Sequence, residues 1–338
     1  MKKVKVGING FGRIGRQVFR ALNENYRDRV EVVAINDLYD AEQNFHLAEY
    51  DSIYGRGHLN AKVNGSEVSV GDWNIHCFAE KDPKQLLWKN YGVDVVVEST
   101  GIFRKASQAQ VHIDNGAKKV IITAPAKEED ITIVVGVNDA AYDPKKHHIV
   151  SNASCTTNCL APVALVLQRE FGIKLGNMVT IHSYTNDQRI LDQAHKDPRR
   201  ARAAACNIIP TTTGAAQAVA KVIPELAGKF SGYSLRVPTP TVSVVDFSGI
   251  LEKSTDTETV LAKMREAANG YLKGILEYND KPLVSMDFKG NSASSILESS
   301  CTTVQEGTLI KAVAWYDNEW GYSCRVCDLI CLMQDKGL

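Results

Sequence analysis

The stretch Ser-Asn-Ala-Ser-Cys-Thr-Thr-Asn-Cys, residues 151–159, sets two cysteines four apart among small hydroxyl and amide side chains. Three chemistries use such a run: a disulfide, part of a metal site, or a nucleophile with its binding pocket. Positions four apart share one helix face, a poor start for a disulfide and an incomplete one for a metal. A thiolate nucleophile needs its ordinary pKa of ~8.5 lowered, which a helix N-terminus or a nearby imidazole can do. Cys155 stands where a helix through CTTNCLAPVALVLQREF would begin, whereas Cys159 lies a turn inside, beside Leu160, Ala161 and Pro162, as a packing residue would. Among eight histidines, His182 in TIHSYTND is the one in a β-rich segment flanked by hydroxyls and amides, and only tertiary folding brings it to Cys155.

The first half of the chain says what such a nucleophile would face. In VKVGINGFGRIGRQVFRAL, Gly10, Gly12 and Gly15 fit G-x-G-x-x-G between a short buried strand, Val4 to Ile8, and an amphipathic helix from about Arg13. Glycines at these places allow a tight turn, close approach of a pyrophosphate, and close packing of helix on strand. A second strand, EVVAIND, ends in Asp37, 22 residues after Gly15, where a carboxylate would bind the ribose hydroxyls of a dinucleotide. Further β-rich runs at 94–100, 118–125, 131–138 and 147–154 are nearly continuous in apolar residues, the pattern of a parallel sheet covered on both faces. Ligands bind at the carboxyl ends of such strands, which directs Ser99, Thr100 and Thr123 toward the cofactor. With a dinucleotide present, hydride transfer from an alcohol-like adduct on Cys155 requires a base, and His182 is the candidate.

After Phe171 the pattern changes. Residues 177–186 and 233–252 alternate like antiparallel strands, TETVLAKMREAANGYL reads as an amphipathic helix, and 307–318 as another strand. The expected architecture is α/β: a Rossmann-type doubly wound parallel sheet domain over 1–153, completed by a C-terminal helix at 319–338, and an α+β catalytic domain with a largely antiparallel sheet over 154–318.

Composition narrows the partners. The 338 residues suit two domains of ordinary size, and 44% hydrophobic with 23% charged residues is globular. Lys plus Arg equals Asp plus Glu, 39 each, so no net field draws nucleic acid or an anionic membrane, and any anion recognition is local. The lysines of MKKVKVGINGFG are followed by glycine before a signal-peptide apolar region forms, and no apolar run approaches ~18 residues. A cytoplasmic location is expected. Eight cysteines are too sparse for a disulfide framework. Cys324, Cys327 and Cys331 fall with Trp320 on one helix face and read as buried side chains rather than metal ligands. No metal is expected.

Six segments in order, INGFGRIGR, SNASCTTNCLAP, YTNDQRILD, HKDPRRARAAACNIIPTTTGAA, LRVPTPTVSVVD and AWYDNEWGYS, resemble the phosphorylating glyceraldehyde-3-phosphate dehydrogenases over essentially the whole chain. The resemblance implies that Cys155 thiolate attacks glyceraldehyde 3-phosphate to give a hemithioacetal, whose proton passes to His182 as hydride moves to NAD. Inorganic phosphate then attacks the thioester and releases 1,3-bisphosphoglycerate, with the helix N-terminus and a His182 imidazolium stabilising the oxyanion. It places the substrate's phosphate at Thr185 and Arg236, and the attacking phosphate at Ser154, Thr156, Thr213 and Gly214 with Arg200 nearby. Arg13 and Ile14 match the pyrophosphate turn, and Asn318 the residue that binds the nicotinamide carboxamide. A homotetramer is implied as well.

The sequence departs from the commoner family pattern in three places. Lys81 stands where an arginine is frequent and Thr123 where a serine is; both keep a donor. Gln193 and Ala194 replace a Leu-Pro or Gly-Pro pair in the loop that reaches a neighbouring subunit's cofactor site, which bears on tolerance of NADP. Two other readings compete: an erythrose-4-phosphate dehydrogenase, whose relatives differ more at TTTGAA, and a nucleotide-binding redox sensor in which Cys155 is simply a reactive thiol. A basic patch at 199–202, RRAR, is too short in a neutral chain to argue for nucleic acid.

Overall fold

In the computed structural model, which describes residues 2–338, the Val- and Ile-rich runs become strands of two large sheets in two compact units. One unit holds the chain up to Ile133, Asp139–Ala153 and Ser323–Leu338; the other holds Val134–Asn138 and Ser154–Tyr322.

The first unit contains β1 (Val4–Asn9), α1 (Arg13–Asn25), β2 (Val30–Asn36), α2 (Ala41–Glu49), β3 (Tyr50–Asp51), β4 (Gly55–Arg56), β5 (Lys62–Asn64), β6 (Glu67–Val70) and β7 (Trp73–Phe78). After these come β8 (Val95–Glu98), α3 (Ala106–Asp114), β9 (Lys119–Ile122), β10 (Ile131–Thr132) and β11 (Ile149–Ser151). Nine strands pair in the order β10-β11-β9-β8-β1-β2-β7-β6-β5, parallel from β10 to β7 and antiparallel at β6 and β5. Val6, Ile8, Val32, Val95, Val97 and Ile121 are buried, so no polar alternation marks these central strands. Because β8 and β2 flank β1 on opposite sides, the strand order reverses at the carboxyl end of β1, where doubly wound sheets bind ligands.

The strand expected over 131–138 stops at Thr132. Val134 N–H donates to Asn138 Oδ1 at 2.8 Å and Val137 N–H to Val134 O at 3.0 Å, a local turn that takes these groups out of any ladder. The edge strands β5 to β7 are an addition to the elements expected. At the C-terminal end of this unit, Tyr26 Oη donates to Asp328 Oδ1 at 2.6 Å, and Arg29 Nε donates to Gln334 Oε1 at 2.8 Å. Cys324, Cys327 and Cys331 are buried, and burial pushes the Cys331 thiol up to about 11.

The second unit runs α4 (Cys155–Phe171), β12 (Ile173–Ser183), β13 (Ile209–Thr212), α5 (Ala215–Val222), β14 (Phe230–Val237), β15 (Ser243–Leu251), α6 (Thr257–Asn269), β16 (Leu276–Asn279), β17 (Ser295–Gln305) and β18 (Leu309–Tyr316). The helix α7 (Trp320–Asp335) begins here and lies in the first unit from Ser323. The sheet order is β13-β14-β12-β15-β18-β17-β16, antiparallel except for the β12–β14 and β16–β17 pairs. The alternating run read over 233–252 is two strands, broken where Pro238 and Pro240 have no N–H to give a ladder. β17, eleven residues long, was not expected from the sequence.

Two glycines of the turn after β1 differ in what surrounds them. A Cβ on Gly15 would sit 2.1 Å from Gly10 O, whereas one on Gly12 would meet nothing within 4 Å. Gly15→Ala should therefore lower the apparent thermal midpoint by roughly 5–10 °C, for about 3 kcal/mol of backbone displacement. Gly12→Ala should shift it by under about 2 °C, the effect of a helix N-cap change alone. Melting curves of the two variants check this, and equal midpoints would contradict the packing described.

Candidate active site

At the carboxyl ends of β1, β2 and β8 the first unit opens a cavity of about 280 Å³ whose lining includes Gly10, Gly12, Asp37, Lys81, Ser99 and Thr100. Gly10 takes φ +90°, and a Cβ there would lie 2.6 Å from Thr100 N, so only glycine makes this turn. Gly12 is the N-cap of α1 and has no side chain to close it; Arg13 and Ile14 open the helix, and its positive end faces an approach that no Cβ blocks. Asp37 is held by Phe11 N–H on Oδ2 and Leu38 N–H on Oδ1, both at 2.7 Å, which leaves each oxygen able to accept again. These features fit a dinucleotide: an anion at the open helix end and sugar hydroxyls on the carboxylate.

Two residues sit differently from their sequence reading. Thr123 does not line the cavity; its hydroxyl donates to Glu98 O at 3.2 Å. The Arg13 guanidinium is paired with Asp51, so what Arg13 offers an anion is its place in the first turn of α1. Asp51 had no sequence signal. Burial pushes its carboxyl up, but the N–H groups of Tyr54 and Ile53 and the Arg13 guanidinium hold it below the usual range.

In the second unit α4 is capped by Ser154, whose Oγ accepts from Thr157 N–H at 3.0 Å, so Cys155 is the first helical residue. Its Sγ lies 3.5 Å from His182 Nε2 on β12. In the parallel β12–β14 pair His182 is in register with Arg236. Ser183 O, an acceptor, lies 2.7 Å from His182 Nδ1 and accepts from Arg236 Nη1 at 3.1 Å.

Arg236 Nη1 is 2.7 Å from His182 Nδ1. Burial, and then this cation, push the imidazole down to about 3, with Arg200 acting in the same sense. The imidazolium expected from the sequence is therefore disfavoured at neutral pH: a second positive charge would have to form beside a guanidinium. Burial pushes the Cys155 thiol up, while Arg236 and the N–H groups of the first turn of α4 pull it down. Cys155 keeps part of its surface open to solvent, which weakens the burial effect. Arg236 thus favours a thiolate at Cys155 and the neutral form of His182.

The residues matched to phosphate lie in this unit but are unevenly available. Thr156 turns its hydroxyl inward to Tyr316 Oη at 2.9 Å, so only its backbone N–H can meet an anion. Arg200 Nε donates to Thr211 Oγ1 at 2.9 Å and its guanidinium is paired with Asp187, which had not been singled out. Thr213 Oγ1 accepts from Ala215 N–H at 3.2 Å, and Gly214 is the N-cap of α5. Thr185 N–H donates to Gln188 Oε1 at 3.2 Å. Asn318 Oδ1 accepts from Ser183 Oγ and Ser243 Oγ, each at 2.9 Å, which orients its amide with Nδ2 as the remaining donor.

Tyr316 is the residue that sequence reasoning missed. Its buried hydroxyl bridges Thr156 and Thr180, at 2.9 and 2.8 Å, and its ring meets the His182 ring edge to face with centroids 6.0 Å apart. Period-two alternation along β18 puts Tyr316 on the same face as Ala314 and Ala312, all buried, and that was its available signal.

The depressed His182 value makes stability depend on pH. Unfolded, a histidine titrates near ~6.5; folded, His182 does so at about 3. Between these values the unfolded chain binds a proton that the native one does not, so stability is present above pH ~6.5 and falls by up to about 1.4 kcal/mol per pH unit as the pH drops. His182→Asn should flatten that slope by about one proton. Urea midpoints from pH 7 to pH 4 measure it, and parallel profiles for the two proteins would contradict the neutral assignment.

Comparison with known proteins agrees over both units. A family model described as the glyceraldehyde 3-phosphate dehydrogenase NAD binding domain matches residues 4–106, and one described as the C-terminal domain of the same family matches 154–318. Similar proteins include the glyceraldehyde-3-phosphate dehydrogenase of Geobacillus stearothermophilus, 59% identical over 99% of both chains. Glyceraldehyde-3-phosphate dehydrogenase 1 of Bacillus subtilis is 57% identical with the same coverage, and the enzyme of Streptomyces coelicolor is 55% identical over 96% of this chain and 97% of its own. With a cysteine at a helix start, a histidine against it and a dinucleotide cavity beside β1, the chain belongs to the glyceraldehyde-3-phosphate dehydrogenase family.

Proposed function

We propose that the chain oxidises D-glyceraldehyde 3-phosphate with NAD and inorganic phosphate to 1,3-bisphosphoglycerate, through a thioester on Cys155. The observation that carries the proposal is the 3.5 Å approach of Cys155 Sγ to a neutral His182 Nε2. When bound, NAD supplies the acceptor for the hydride. Cys155 sulfur bonds to the aldehyde carbon as the C=O π bond opens and the thiol proton ends on the aldehyde oxygen, forming a hemithioacetal. His182 Nε2 takes the hydroxyl proton as the carbon loses hydride, which leaves the acyl group on sulfur. Phosphate oxygen then bonds to the acyl carbon, the carbon–sulfur bond breaks, and Cys155 leaves as a thiolate opposite Arg236.

Developing negative charge on the acyl oxygen is met by the first-turn N–H groups of α4 and by Arg236. We assign the substrate's own phosphate to Arg236 and Thr185. The attacking phosphate falls to Ser154, the Thr156 N–H, Thr213, Gly214 and Arg200. The coenzyme falls to 1–153 with 319–338, and catalysis to 154–318. Asn318, with Nδ2 as its remaining donor, suits a carboxamide oxygen.

A homotetramer accounts for apolar side chains left exposed on the second unit, Ile190, Leu191 and Ile208 among them, which self-association would cover. All eight cysteines are free, as in a reducing cytoplasm, and no helix among the described residues is long and apolar enough to cross a membrane.

NADH formation from glyceraldehyde 3-phosphate should require phosphate. Cys155→Ser should abolish it, and His182→Asn should slow it by a factor on the order of 10² to 10⁴, as for a lost general base. Turnover without phosphate, or substantial rate in Cys155→Ser, would sink the assignment. Coenzyme choice is a separate test. The 2′-phosphate of NADP brought ~4 Å from Asp37 would be repelled by about 4 kcal/mol at an effective dielectric of about 20. Asp37→Ala should raise NADP efficiency relative to NAD by more than replacing Gln193 and Ala194 with Leu-Pro does, and the reverse order in kcat/KM would place selectivity in the loop.

A further inference from the structure

The two arginines given to phosphate differ in what compensates their charge. Arg236 forms no ion pair with a carboxylate among the described residues; its Nη1 meets His182 Nδ1 and Ser183 O. Arg200 has two such neighbours. Its Nη1 is paired with Asp187 Oδ2, and its Nε lies 3.6 Å from Asp197 Oδ2. Nε also donates to Thr211 Oγ1 at 2.9 Å, which ties the guanidinium to β13, and its other N–H groups have no partner among the described residues.

The two carboxylates are not equivalent. Both oxygens of Asp197 are engaged elsewhere: Oδ1 accepts from Arg199 N–H at 2.9 Å, and Oδ2 from the Thr211 hydroxyl at 3.0 Å. Asp187 stands exposed in the turn after β12, with Oδ2 on Arg200 and Oδ1 3.5 Å from His195 Nε2. An ion pair this open to water adds little to stability. Its charges nevertheless reach the base and the other arginine. Burial and Arg236 push His182 down, with Arg200 in the same sense; burial pushes Arg236 down, Arg200 adds to that, and Asp187 opposes it.

We propose that Asp187 is a specificity-determining residue: by pairing with Arg200 it weakens the hold on the attacking phosphate and leaves the stronger anion site, at Arg236, to the substrate's own phosphate. The inference rests on the assignment of the two phosphates made above. The two anions have different tasks. The substrate's phosphate must stay through hydride transfer and acyl transfer, whereas inorganic phosphate has to enter once the thioester exists. Two uncompensated guanidiniums would hold either anion at both places. Asp187 makes the places unequal, because an anion on the remaining N–H groups of Arg200 gains charge-assisted bonds but meets a carboxylate across the same guanidinium. Water screens that repulsion in part, so its effect is a few-fold rather than many decades.

The test is the KM for inorganic phosphate in NADH formation by the full-length protein, at saturating NAD and glyceraldehyde 3-phosphate. Asp187→Asn keeps an oxygen for Arg200 and removes the charge; it should lower that KM about threefold or more and leave the KM for glyceraldehyde 3-phosphate within about twofold of wild type. Asp187→Glu keeps the charge and should not lower the phosphate KM. A rise or no change in Asp187→Asn, as for a residue that merely holds the loop, would overturn the proposal, as would a fall in Asp187→Glu. An equal fall in both KM values of Asp187→Asn would overturn it too, since the charge would then not distinguish the two anions. Should Asp187→Asn not fold, Asp187→Ser is read by the same criteria, and failure of both to fold would make the charge a folding requirement and overturn the specificity role. Arg200→Gln locates the fault: it should raise the phosphate KM roughly tenfold or more, as for a lost charge-assisted bond. An unchanged value there would overturn the assignment of the attacking phosphate to Arg200, and this inference with it, whereas phosphate-independent turnover by the wild type would overturn the functional reading itself.

Discussion

Arg236 Nη1, 2.7 Å from His182 Nδ1, is the contact on which the chemistry of the second unit turns. It follows from strand register: β12 and β14 run parallel, and the pairing of His182 with Arg236 puts two potentially cationic side chains together. Only one can be charged at neutral pH. Arginine keeps its proton, and burial together with this cation favours the neutral imidazole. The same guanidinium favours a thiolate at Cys155. One side chain thus pulls the imidazole and the thiol the same way, toward the deprotonated form of each.

Distance is set by different residues. Ser154 caps α4, which makes Cys155 the first residue of the helix rather than one buried in it like Cys159, whose thiol burial pushes well above its ordinary value. Tyr316 holds Thr156 of α4 and Thr180 of β12 through one hydroxyl, and so braces the two elements that carry Cys155 and His182. Its buried phenol lies between the two threonine hydroxyls, and loss of it would leave both without that partner.

Much of this was legible in the sequence because local signals agreed with the tertiary outcome. Ser154 and Gly172 bracket α4 as cap and stop, Gly10 and Gly15 are required by a turn that a Cβ would break, and Asp37 ends β2 at the cavity. What escaped depends on pairing between distant segments. β17 reads ESSCTT through its middle and carries a register shift between Glu298 and Thr303, so no clean alternation marks it. β5 to β7 are short and polar on one side, and the antiparallel edge they form is visible only once β2 is in place. The charge environment of His182 is hidden for the same reason: no local pattern says that Arg236, 54 residues on, arrives at its Nδ1. The inward turn of Thr156 likewise needs Tyr316 from β18.

The most direct measurement is mass spectrometry of the protein acid-quenched after mixing with NAD and glyceraldehyde 3-phosphate in the absence of inorganic phosphate. A thioester route predicts one 3-phosphoglyceroyl group per chain, mapped to the peptide bearing Cys155, formed together with the first equivalent of NADH and discharged when phosphate is added. NADH formation with no acyl group on Cys155, or an acyl group on another residue that phosphate removes at the catalytic rate, would contradict it.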